Sequence, residues 1–176
     1  MKRALLAMVA ASGCGDDSCG PGSAPDVGIV ASNGNVAMTY GNFSAGPHHD
    51  CPDTASSVES LTFGGVQMGA GNLVTFCAPR PDQLRDGVPI GTGFRIVDFT
   101  GEANGCSYCF TGGATDGTAR AEGLCDDGTN SAGFALTLDG HVSLTQFCPP
   151  NLMCPPGAGT PVQIQLSGTV AIRAVP

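Results

Sequence analysis

Lysine is nearly absent from this sequence, since Lys2 is the only lysine among 176 residues. Seven basic residues stand against fifteen acidic ones, and the formal net charge is −8. Nucleic acids attract proteins through their phosphates and need positive charge on the protein. The charge therefore argues against nucleic acid as a partner.

A long hydrophobic run is also missing. Residues 4–11 form an apolar stretch of only eight residues, whereas a transmembrane helix needs about 20. Two basic residues precede this stretch and two small residues follow it. A positive start, an apolar segment and small residues, in that order, are typical of a secretory signal peptide. We therefore expect residues 1–13 to be a signal peptide.

The stretch Ala11-Ser12-Gly13-Cys14 resembles the lipobox of bacterial lipoproteins, although leucine is commoner than alanine at its first position. The resemblance covers only residues 1–14. It implies cleavage before Cys14, lipidation of the Cys14 thiol and attachment to a membrane through the lipid. It also implies an extracytoplasmic location in a bacterium, in the periplasm or at the cell surface. The alternative is ordinary cleavage nearby, which would leave Cys14 to pair with another cysteine.

The cysteine count agrees with lipidation. Nine is an odd number, which in a secreted protein marks one cysteine with another role. If Cys14 carries lipid, the remaining eight suffice for four disulfides, which oxidising compartments favour. Eight cysteines allow 105 pairings, so the connectivity stays open. The predicted disulfide cysteines are Cys19, Cys51, Cys77, Cys106, Cys109, Cys125, Cys148 and Cys154.

From residue 27 onward, short apolar segments alternate with turn signals. Such segments, rich in β-branched and aromatic residues, predict an all-β domain over residues 27–176, an antiparallel sandwich or barrel of about 8–10 strands stapled by disulfides. Residues 14–26, rich in glycine and proline, read as a flexible tether carrying the lipidated cysteine. Only residues 81–87 resemble a helix, with proline early and glycine late.

Three places allow a sharper prediction. Residues 162–175 alternate apolar and polar side chains, which predicts a half-buried strand with a bulge or bend at Gly168. Asp139-Gly140 predicts a hairpin. Matching the apolar faces on either side requires a three-residue loop with Gly140 in the left-handed region. Gly64-Gly65 predicts the junction between two further strands.

Two clusters could carry chemistry. Cys106 and Cys109 form a C-x-x-C, which suits a redox pair or a metal site. However, no βαβ pattern surrounds it and no second C-x-x-C exists, so two structural disulfides are the favoured interpretation. His48, His49 and Asp50 offer imidazoles and a carboxylate that could bind zinc or copper. The alternative for this cluster is a surface loop leading into a disulfide.

No motif for nucleophilic catalysis stands out, because no G-x-S-x-G elbow is present. We therefore expect a non-enzymatic, lipid-anchored surface or periplasmic protein without a cofactor. Its role would be structural or the binding of a protein or glycan partner through its loops. The alternative is a small metal-binding protein or hydrolase that uses His48, His49 and Asp50, with His141 as a possible further member.

Overall fold

The computed structural model describes residues 26–47, 51, 59–124, 133–147, 159 and 161–174. These residues form ten strands and a short 3-10 turn at Pro81–Gln83, so the predicted all-β class is confirmed. The strands are β1 (Gly28–Ser32), β2 (Ala37–Pro47), β3 (Leu61–Gln67), β4 (Leu73–Ala78), β5 (Val88–Pro89), β6 (Arg95–Ala103), β7 (Cys106–Cys109), β8 (Thr115–Glu122), β9 (Phe134–Phe147) and β10 (Pro161–Ala174).

Eight of these strands close into an antiparallel barrel. Each pairs with the next in the order β1, β2, β3, β4, β6, β7, β9 and β10, and β10 pairs with β1 to complete the ring. A short parallel contact also joins residues 173–174 of β10 to residues 44–45 of β2. Of the two architectures that the sequence left open, the structure is therefore a barrel and not a sandwich.

Strand β9 has three neighbours. One edge pairs with β10 along residues 134–145. The other edge pairs with β8 through residues 135–142 and with β7 through residues 145–147. The far edge of β8 is covered by β5 and by backbone hydrogen bonds, from Ala121 N–H to the Leu84 carbonyl and from Ile90 N–H to the Gly117 carbonyl. The exposed edge that β8 would otherwise present is thus largely paired.

The alternating pattern in the last strand is confirmed. Ile164, Leu166, Val170 and Ile172 are buried in the barrel, while the residues between them are exposed or half-buried. The predicted bulge at Gly168 is absent, because the pairing of β10 with β1 and β9 runs through it without a shift. Instead, Gly168 has a φ of +129°, and a Cβ there would collide with the carbonyl of Gly28.

The predicted hairpin at Asp139-Gly140 is wrong. Strand β9 continues through both residues, and the φ of Gly140 is not positive. The apolar residues keep the same parity from 134 to 144, which an uninterrupted strand satisfies as well as a three-residue loop does. A Cβ on Gly140 would lie 2.8 Å from the Cα of Gly117 on β8. The glycine therefore permits a close backbone approach and does not form a turn.

The predicted junction at Gly64-Gly65 is wrong for the same kind of reason. Strand β3 runs through both glycines and pairs on either side, with β2 and with β4. A Cβ on Gly65 would overlap the ring of Phe43, which lies across the strand. Gly65 thus makes room for an aromatic side chain inside the barrel.

The predicted helix at residues 81–87 is reduced to one 3-10 turn. The segment leaves the helical path because Leu84 is fully buried and its carbonyl accepts a hydrogen bond of 2.9 Å from Ala121 N–H. Gly87 then takes a φ of +86°. Pairing with β8 outweighs the weak local preference of so short a helix.

Phenylalanines fill one half of the barrel interior, and we call this region the aromatic half. Phe94 is central to it, with ring centroids 5.4 Å from Phe63 and 5.2 Å from Phe76. Phe134 meets Phe63 edge to face at 6.0 Å, and Phe43 stacks on Phe76 at 6.3 Å. Eight-stranded barrels are just wide enough for side chains to fill. This half is therefore a packed aromatic core.

Candidate functional site

Several predicted site residues lie outside the described residues. These are the lipidation site, the histidine cluster and four of the disulfide cysteines, namely Cys14, His48, His49, Asp50, Cys19, Cys125, Cys148 and Cys154. Their predicted roles stay predictions.

Two of the predicted disulfide cysteines are joined to each other. Cys51 and Cys77 form a disulfide with their Cα atoms 6.3 Å apart, within the usual range for such bonds. Cys77 lies on β4, and both residues are buried. The bond attaches Cys51 to the barrel wall, and Cys51 directly follows His48, His49 and Asp50 in the sequence.

The C-x-x-C differs from expectation. Cys106 and Cys109 both carry free thiols, although disulfides were predicted for them. The two residues lie on strand β7, where positions three apart point to opposite faces and are separated by about 10 Å. A disulfide needs Cα atoms closer than about 7 Å. Since β7 is an extended strand, this C-x-x-C cannot act as a redox pair in the described conformation.

The two thiols have different surroundings. Cys106 is buried, and its Sγ lies 3.8 Å from the carbonyl oxygen of Asn104. Cys109 is half-buried between Thr100 of β6 and Thr145 of β9. Burial raises the pKa of the Cys109 thiol, and the Asp98 carboxylate adds to the increase. A raised pKa means little thiolate, so Cys109 is poorly suited to act as a nucleophile or a soft metal ligand.

His141 has a partner that the sequence did not reveal. Its Nδ1 lies 2.8 Å from Oδ1 of Asp116, and the same oxygen accepts a 3.1 Å hydrogen bond from the His141 backbone N–H. The two residues are 25 positions apart and face each other only because β8 pairs with β9. The side chains of His141 and Asp116 are 47% and 65% exposed. Their exposure places the pair on the outer face of the barrel wall.

Polar side chains enter the other half of the interior, which we call the polar half. Gln67 is buried and spans the gap between the end of β3 and β6. Its Nε2 donates to the Glu102 carbonyl at 2.6 Å, and its Oε1 accepts from Glu102 N–H at 2.8 Å. Strand β4 begins at Leu73 and does not reach this part of β6. The Gln67 amide therefore replaces a missing strand, satisfying both backbone groups of Glu102.

Tyr40 crosses the same half of the barrel. Its hydroxyl donates a 2.7 Å hydrogen bond to the Thr100 carbonyl on β6 and packs close to Met38 and Gly101. The ring meets Phe99 edge to face, with centroids 5.0 Å apart. Burial raises the pKa of the Tyr40 phenol far above its usual range, with a smaller contribution from charge at Cys109. Tyr40 therefore stays protonated and holds opposite walls together.

A third polar group in this half is not satisfied. Gln146 is 4% exposed, and its Nε2 has no hydrogen-bond partner. It pairs laterally with Tyr108 of β7, and its backbone carbonyl accepts from Gly159 N–H. Buried polar atoms of this kind are usually paired with protein or water. We therefore expect a water molecule at Gln146 in solution.

A cavity of about 490 Å³ opens on the outside of the wall, near the end of β8. Arg85, Arg120, Glu122 and Thr137 contribute to its lining. Arg120 Nε donates to the Arg85 backbone carbonyl at 3.0 Å. Sequence reasoning missed this site, because the arginines come from separate segments and match no motif.

The described residues bring together no three His, Cys, Asp or Glu side chains that could hold a metal ion. Within the same residues, no helix has the length and apolar character to span a bilayer. Comparison with models of known families, with curated proteins and with solved structures finds no match for this chain.

Proposed function

We propose that this chain is an extracytoplasmic protein, held on a bacterial membrane by a lipidated Cys14, whose barrel has a structural or binding role. The observation that carries the proposal is the Cys51–Cys77 disulfide. Disulfides persist in oxidising compartments and are rare in the cytosol. The bond thus supports the location that the signal-like N-terminus and the lipobox resemblance imply.

The packed interior supports binding through the outside. Phenylalanine rings occupy the aromatic half, and buried polar side chains occupy the polar half. A small barrel that binds a ligand internally needs free volume in its lumen. Here the candidate binding surfaces are the cavity beside β8 and the polar outer face around His141.

The test is the intact mass of the protein purified from its native host. We expect a chain that begins at Cys14 and is heavier by several acyl groups. A Cys14→Ser variant is the matched control, and it should lose both the added mass and the association with membranes. A native chain without lipid would contradict the anchor.

Alkylation followed by peptide mapping tests the cysteines separately. Cys51 and Cys77 should take up label only after reduction, whereas Cys106 and Cys109 should be labelled without reduction once the protein is unfolded. Eight labelled cysteines after reduction would agree with a blocked Cys14. Labelling of Cys51 or Cys77 without reduction would remove the main support for an oxidising compartment.

A further inference from the structure

We propose that the cavity beside β8 binds a small oxyanion, such as a carboxylate or phosphate group, with Arg120 as its main ligand. This inference gives the proposed binding role a ligand class and rests on that role, but it does not depend on the lipid anchor. It is carried by the geometry of Arg120 and by the size of the cavity that Arg120 lines.

Arg120 is held in place by one end of its guanidinium group. Its Nε donates to the Arg85 carbonyl at 3.0 Å, and within the described part of the chain neither Nη group has a hydrogen-bond partner. Among the residues that the structure describes, no carboxylate forms an ion pair with Arg120. An arginine tethered through Nε has already lost part of its conformational freedom, so an anion that binds it loses less entropy. The planar guanidinium also matches the geometry of carboxylate and phosphate oxygens.

Among the described residues of the lining, basic side chains outnumber acidic ones, whereas the protein as a whole is negative. Arg85 and Arg120 contribute two positive charges to its lining and Glu122 one negative charge. The chain as a whole carries a formal charge of −8. The Arg120 guanidinium thus attracts anions in a protein whose overall charge repels them.

The size and chemistry of the lining suit a small molecule. A volume of about 490 Å³ falls within the range of roughly 300–1,000 Å³ that is usual for ligand pockets. Thr137 adds a hydroxyl group, which is also within 3.0 Å of the Thr169 hydroxyl on β10. A threonine hydroxyl can donate one hydrogen bond, so it can contact an oxyanion held by the arginine.

The experiment is a calorimetric titration of the full chain, purified in detergent, with inorganic phosphate and in parallel with acetate. Sodium chloride at matched ionic strength gives the background. We expect saturable binding of at least one of the two probes. Arg120→Gln should weaken that binding about tenfold or more, because it removes charged hydrogen bonds.

Arg95→Gln is the matched control. Arg95 is an exposed arginine on β6 that does not line the cavity, so its loss should leave the affinity unchanged. Glu122→Gln should strengthen binding, since it removes the acidic side chain that the structure describes in the lining. This third variant keeps the inference testable if Arg120→Gln does not fold.

The inference is overturned if neither probe binds in a saturable manner, if Arg95→Gln weakens binding as much as Arg120→Gln, or if Glu122→Gln leaves the affinity unchanged. If neither anion binds but the mass measurement finds lipid on Cys14, the proposed membrane anchor still stands. A chain that binds the anions but carries no lipid would support this inference and contradict the membrane anchor.

Discussion

The two halves of the barrel interior are held together by different forces. Ring packing dominates the aromatic half, where Phe63, Phe76, Phe94 and Phe134 are each at least 96% buried. In the polar half, Gln67 and Tyr40 donate hydrogen bonds to backbone carbonyls on β6, Gln67 across a gap that β4 leaves open. The comparison shows how a barrel with strands of unequal length can close. Where strands pair fully, apolar side chains suffice, and where a strand is missing, a side-chain amide takes its place.

The two kinds of contact differ in specificity. Apolar packing depends mainly on volume and tolerates exchange among residues of similar size. A buried hydrogen bond to a backbone group requires one geometry, and removal of either partner leaves the other unsatisfied. We therefore expect the aromatic half to contribute more stability per residue and the polar half to define the path of β6.

The largest effect is expected from Phe63→Ala in the aromatic half. The change removes a fully buried ring that contacts both Phe94 and Phe134. Truncation of a buried phenylalanine typically costs about 3–5 kcal/mol. Denaturant unfolding measures the loss. Phe147→Ala, which removes a ring that is 47% exposed, should cost far less and serves as the control. If Phe63→Ala loses less stability than Phe147→Ala does, the aromatic half is not the core of the barrel.

The next effect is expected from Gln67→Leu in the polar half. Leucine is similar in size but cannot pair with the N–H and carbonyl of Glu102. Leaving such groups unsatisfied should cost about 1–3 kcal/mol. The Glu102 amide should also exchange its hydrogen faster, which distinguishes lost pairing from lost packing. Gln165→Leu on the exposed face of β10 is the control, and unchanged exchange at Glu102 would argue against the strand-replacing role.

Tyr40→Phe should change the dependence of stability on pH. The folded protein holds the pKa of Tyr40 above the value of 10.0 for the free side chain. The stability contributed by the protonated phenol is therefore fully present below pH 10 and is lost as the pH rises above it. The variant should be less stable at pH 8, by about 1–2 kcal/mol, and the difference should shrink toward pH 11. If the difference in stability between the two proteins stays constant from pH 8 to pH 11, the raised pKa is wrongly assigned to Tyr40.

The smallest effect is expected outside the barrel, at Asp116 and His141. Both side chains are largely exposed, and water screens their interaction. A double-mutant cycle with Asp116→Asn and His141→Gln should give a coupling energy below about 1 kcal/mol. A much larger coupling energy would mean that the pair is more than a surface contact.

The sequence predicted the fold class but not the paths of individual strands. The alternation in β10 and the run from Phe134 to Leu144 are strong period-two signals, and both residue sets do line the interior. Glycine misled the interpretation at Gly64-Gly65 and at Gly140. A glycine serves a turn and a close approach equally well, and the atoms that approach it come from distant segments: Phe43 at Gly65, and β8 at Gly140.

The candidate sites were harder to predict still. Strand β7 contains the C-x-x-C in only four residues and forms because β6 and β9 flank it. The partners of His141 and of Arg120 lie 25 and 35 positions away. Both depend on how segments from different parts of the chain pair. One sequence alone contains no signal for such contacts, whereas the local cysteine spacing suggested chemistry that an extended strand cannot support.

The insertion of β1 between β2 and β10 has a consequence for how the barrel assembles. Gly28 lies opposite Thr169, so the ring is completed by two segments about 140 residues apart. Contacts of such long range form slowly, because a large loop must close before they contribute any stability. During synthesis, the growing chain can form only an open sheet until residues 161–174 have emerged. We expect barrel closure, and with it most of the cooperativity of folding, to wait for that last strand.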